Sequence, residues 1–326
     1  MRARNQVSVL SLRILAFLAT AAALSAQPYG YVSNEMGNNV SVVNMATNAI
    51  SATISMSGGG LSGLAITPNG SYIYVAEQSL NSVAVISTAS NSVVATIPVG
   101  TAPVQVAITP NGATAYVANE QSNNVSVINT GTNTVVATIP VGSKPVAVTA
   151  TADGTRVLVS NLLSNNISVI HTATNTVNAT WATGSGPNGM AMGPGGKVVF
   201  VTNQYANTVT EHNLTSGSIM TTITGNAIAG FSAPNSAAIT PNGEQLYVTN
   251  GNSSSVAVVS TSSLQIVAKV SVGLLPTSVA VSSNGSTAYV ANAYGYSLSE
   301  INTATNTVEF TLPHVGIYPF SIVLYQ

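Results

Sequence analysis

Cysteine is absent from this chain. Disulfides and thiolate metal sites are therefore excluded, and the fold must be held by burial alone. Charge is scarce as well, at 5% of residues. The few bases are scattered, so nucleic acid finds no electrostatic footprint here. Helical periodicity is missing, and beyond the N-terminus no apolar run reaches the length of a membrane span. What is present is Ser, Thr, Asn and Gly alternating with Val, Ile and Tyr, and 45% of the chain is hydrophobic. That content separates it from disordered polar tracts, which lack β-branched and aromatic residues.

The first 26 residues read as an export signal. Arg2, Arg4 and Arg13 precede the apolar run Ile14–Leu24, and Ala23-Leu24-Ser25-Ala26 offers small residues for cleavage before Gln27. After cleavage, Lys144, Arg156, Lys197 and Lys269 face eight carboxylates, a formal charge of −4. Without a cysteine after the cleavage site, no lipid anchor is expected. The expectation is a monomer in the periplasm, outside the cell or at its surface, with no membrane span after processing.

Residues 101–142, TAPVQVAITPNGATAYVANEQSNNVSVINTGTNTVVATIPVG, contain four short β-rich runs. These predict strands at Val104–Thr109, Ala113–Asn119, Asn124–Asn129 and Thr134–Pro140, with Thr109-Pro110-Asn111-Gly112 as a tight turn. The mark Tyr-Val-x-Asn, or a close variant, recurs from Tyr31, Tyr74, Tyr116, Leu158, Phe200, Tyr247 and Tyr289, spaced by 43, 42, 42, 42, 47 and 42 residues. Seven units of four strands predict an all-β, seven-bladed β-propeller of antiparallel blades over 27–326. The chain enters at a second strand, and Ile317–Tyr325 reads as a first strand with nothing after it. The last strand should therefore join the first blade and close the ring.

The repeats YVAN (116–119 and 289–292), YVTN (247–250) and SVINTGTNTVVATIPVG resemble the YVTN family of β-propeller repeat proteins, over essentially all of 28–326. The resemblance implies a surface-layer or periplasmic protein; similar propellers serve as lactonases, lyases or DNA binders.

Candidate site residues come from the loops after the second strands, which share one face with the blade-to-blade loops. Asn34, Asn119, Asn161, Asn203, Asn250 and Asn292 should ring that face, with Glu77 in the remaining place. Such amides either bind a sugar or peptide backbone or close their own turns. Glu35, Glu77 and Glu120 form an acidic sector, a candidate Ca²⁺ set, or else are plain loop charges. Tyr205, Phe231, Tyr294 and Tyr296 supply aromatics. His171, His212 and His314 show no metal-binding pattern and are expected at the surface. The insertion in Gly225–Asn235 marks an irregular junction. The glycine-dense 57–63 lacks the Lys and helix of a phosphate loop.

Two functional classes follow. The first is an exported binding module for a protein or glycan of the cell envelope, without cofactor or catalytic residues. The alternative is a propeller enzyme of the lactonase or lyase kind that uses a divalent metal.

Overall fold

The computed structural model describes residues 28–325. The expected export segment lies outside the described residues. Seven four-stranded antiparallel sheets form the blades of a propeller. In the third blade the strands are Pro103–Ile108, Thr114–Asn119, Asn124–Asn129 and Thr134–Pro140, within one residue of the expected bounds. The turn is as the sequence predicts. Gly112 takes φ 72°, and Asn111 Oδ1 accepts from Thr109 Oγ1 at 2.7 Å and from the Ala113 amide at 3.0 Å.

The first blade combines both ends of the chain. Its first strand, Pro319–Tyr325, pairs with Tyr29–Asn34, which continues into Asn39–Asn44 and Ala49–Ser55. First strands of successive blades neighbour one another around the axis, and Pro319–Tyr325 sits between Pro276–Val281 and Leu61–Ile66. The ring is closed.

The core consists of seven apolar clusters, one at each junction between adjacent blades. Alternate residues of a second strand serve two of them: Tyr116 and Ala118 pack against the fourth blade, Ala115 and Val117 against the second. A strand covered on both faces has no water-facing side. This is why Ala115 through Asn119 are all buried and why the run reads as continuously apolar. Fourth strands lie at the outer rim, where Val94, Val136 and Met220 are exposed.

A register shift recurs at the start of first strands. Pro103 pairs with Asn119 and Gln105 with Ala118, leaving Val104 as the extra residue of a bulge. The same irregularity follows Pro145, Pro187, Pro234 and Pro276, and it occurs at Pro319 in the first blade. A bulge twists the strand and re-aims the side chains beside it. Here those side chains belong to the channel mouth.

Candidate active site at the channel mouth

The Asn positions are set inside the blade. Asn119 is fully buried, and its Nδ2 donates to Asn124 Oδ1 at 2.8 Å and Ser126 Oγ at 2.9 Å. Asn34, Asn161, Asn203 and Asn292 repeat this pattern toward side chains of their own third strands. The amide ring thus closes turns, through neighbouring side chains more than through backbone. Asn203 additionally accepts from Thr183 Oγ1 at 2.7 Å.

Glu77 takes the Asn place in the second blade. It is 1% exposed and accepts from Ser82 Oγ at 2.8 Å. Glu120 stands elsewhere, in an ion pair of 2.9 Å with Lys144 Nζ. Glu35 is half-buried beside Tyr318, its amide donating to the Tyr318 carbonyl, and burial pushes its carboxyl above the usual range. Among the described residues no group of three or more His, Asp or Glu is placed to hold a metal ion, and Glu35, Glu77 and Glu120 lie in three separate settings. The reason is geometric, since neighbouring blades diverge outward from the axis.

The aromatics divide. Phe231 is buried between the fifth and sixth blades with Phe200 and Leu246. Tyr205, Tyr294 and Tyr296 are about half exposed. Tyr294 meets Tyr318 edge to face at 5.2 Å. Burial, then the charges of Glu35 and Tyr294, push the Tyr318 hydroxyl pKa up.

His212 overturns its expected surface position. It is fully buried, with Nδ1 against the Gly217 carbonyl and Nε2 against Thr210 Oγ1. Burial depresses its pKa, partly offset by the Gly217 carbonyl. His171 is half-buried and His314 exposed.

A cavity of about 420 Å³ opens at the mouth and draws on all seven blades. The second to sixth blades contribute the amides of Gln78, Gln105, Asn188, Gln204 and Asn235 and the carboxylate of Glu120, interrupted by Val104, Val146 and Ala147. Leu275, Tyr318 and Phe320 stand on the side of the seventh and first blades. Several of these groups are mutually held: Gln78 donates to Ser62 Oγ at 2.6 Å, and Asn188 to Gln204 Oε1 at 3.2 Å. Of the residues singled out from sequence, only Glu120 lines this cavity. The other lining residues stand outside the repeated Tyr-Val-x-Asn mark. A usable signal was present in the two residues after each blade-opening proline: Val104-Gln105, Val146-Ala147, Asn188-Gly189, Asn235-Ser236, Thr277-Ser278 and Phe320-Ser321. They vary while the surrounding repeat barely changes.

Fold and cavity define a closed seven-bladed propeller with a ligand-sized cleft on its axis, lined by both amide and apolar side chains. A family model described as "Lactonase, 7-bladed beta-propeller" matches residues 15–138 and 173–312, and the chain belongs to that family. No curated protein sequence matches. Among solved structures, the chain is similar to Kuenenia stuttgartiensis hydrazine synthase, at 24% identity and TM-score 0.77, over 84% of this chain and 92% of that one. A functionally unknown protein from Desulfotomaculum acetoxidans aligns with TM-score 0.80 at 17% identity, over 91% and 98% of the two chains. A Bacteroides fragilis protein provisionally assigned as a 6-phosphogluconolactonase aligns with TM-score 0.75 at 16% identity, over 93% and 99%. These likenesses establish the fold.

Proposed function

We propose that the chain hydrolyses a lactone in the cavity at the channel mouth, with Glu120 as general base. Membership of the lactonase propeller family favours an enzyme over the binding module expected from the repeat motif. The observation that carries the reading is one carboxylate, Glu120, lining the axial cavity among neutral amides.

Opening a cyclic ester needs three things: a water deprotonated as it attacks, a place for negative charge on the carbonyl oxygen, and a proton for the departing ring oxygen. The Glu120 carboxylate takes the water proton while the water oxygen bonds to the carbonyl carbon. The tetrahedral intermediate collapses, the ring C–O bond breaks, and Glu120 returns the proton to the ring oxygen. The product is a hydroxy acid. Lys144 fixes the carboxylate by its 2.9 Å contact, and that hydrogen bond raises the ammonium pKa, so the anchor stays charged at neutral pH. Side-chain N–H groups of Gln105 and Gln204 supply donors for the oxyanion.

Glu120→Gln keeps the shape and removes the base. Its kcat on a hydrolysed lactone should fall by about 10²–10⁴-fold with an unchanged circular dichroism spectrum. Retained kcat would remove Glu120 from the chemistry.

A further inference from the structure

Resting on the lactonase reading, we propose that the cavity takes an uncharged polyhydroxylated ring, an unphosphorylated sugar lactone, and discriminates against its phosphate ester. The polar wall is built from Gln78, Gln105, Asn188, Gln204 and Asn235. An amide both donates and accepts, which matches hydroxyl groups that do the same. On this wall Asn188 Nδ2 donates to Gln204 Oε1 at 3.2 Å, so the two amides stand together at the cavity. Tyr318 and Phe320 stand on the other side. A sugar ring presents C–H faces as well as hydroxyls, and an aromatic wall takes the former while amides take the latter.

Phosphate recognition demands the opposite equipment: Arg or Lys forks, or the N-terminus of a helix. Among the described residues no Lys, Arg or His lines the cavity. Lys144, the cation beside it, is already paired with Glu120. Arg156 is spent on the Leu214 carbonyl. The charged groups at the mouth are thus the Glu120–Lys144 pair and Glu35, next to Tyr318 at the rim. A phosphate dianion entering there meets the Glu35 carboxylate and a lysine already neutralised by Glu120, so it loses water without gaining an unpaired counter-charge, which selects against it.

The test measures initial rates of proton release by the purified protein at near-neutral pH, with D-glucono-1,5-lactone and with its 6-phosphate ester. The expected kcat/KM is higher for the unphosphorylated lactone by about tenfold or more. Replacing the rim carboxylate, Glu35→Gln, should narrow that ratio. If the phosphate ester is hydrolysed as fast or faster, the neutral-ring inference is overturned while the lactonase reading stands. An unaltered ratio in Glu35→Gln overturns the electrostatic basis of the selection. Hydrolysis of neither ester above the spontaneous rate overturns the lactonase reading and this inference with it.

Discussion

At the scale of single residues, the Tyr of Tyr-Val-x-Asn is a clasp between blades. Tyr74 donates to Asn133 Oδ1 at 2.7 Å, Tyr116 to Asn175 at 2.8 Å and Tyr247 to Asn306 at 2.6 Å, each in the following blade. Where Leu158 or Phe200 replaces Tyr, the position facing it is Gly217 or Leu264, so no acceptor is stranded. Trp181 packs over Gly217, where a side chain would collide with its indole. Tyr116→Phe should cost about 1 kcal/mol in urea denaturation, the net value of one such bond. Within the fifth blade, His212 makes stability depend on pH. Its folded pKa lies below the usual 6.5, so the unfolded chain binds more protons once pH drops beneath that value. Stability is full above the unfolded pKa and declines as pH falls toward the depressed one. Comparing denaturation midpoints from neutral to mildly acidic pH should show a decline that His212→Gln flattens.

At the scale of strands and loops, Asn119 and the preceding blade-to-blade loop are one device. A Cβ on Gly100 would lie 2.6 Å from Asn119 Nδ2 and from Ser122 Oγ. Gly142, Gly184, Gly273 and Gly316 approach Asn161, Asn203, Asn292 and Asn34 in the same way. The glycine is needed for close approach, and the Asn beneath it is already engaged by its own third strand. Gly100→Ala should destabilise by about 1–3 kcal/mol, the range for forcing atoms into a packed space. A change below experimental error in the denaturation midpoint would show that the loop yields freely. This coupling also explains why the amides are buried beneath the loops of that face. From sequence, the end of a strand looks like the start of an exposed loop. In space, the loop of the previous blade folds over it.

At the scale of the molecule, closure makes the site. Without Pro319–Tyr325, the strand Tyr29–Asn34 has an open edge, and the junction of the seventh and first blades loses Ile322. Tyr318 and Phe320 on the cavity wall belong to the same closing segment. Deleting residues 319–326 should therefore abolish cooperative thermal unfolding and produce aggregation in size-exclusion chromatography. Removing one buried Ile alone forfeits about 1.5–3 kcal/mol, and an open strand edge recruits other chains. A monomeric truncated protein with an unshifted Tm would mean the ring is stable open.

The repeat determined the blade count, the strand order and the closing strand, because turn chemistry and alternation are local and were written seven times. Asn124–Asn129 and Thr134–Pro140 could be read to the residue for that reason. Burial on both faces, the Asn–Gly coupling and the interior place of His212 and Phe231 came only with the tertiary structure. They depend on which blade lies against which. The cavity depends on it most: Glu120, Gln204 and Phe320 are far apart in the chain, and only the closed ring, with a bulge at the mouth of each first strand, brings them to one axis.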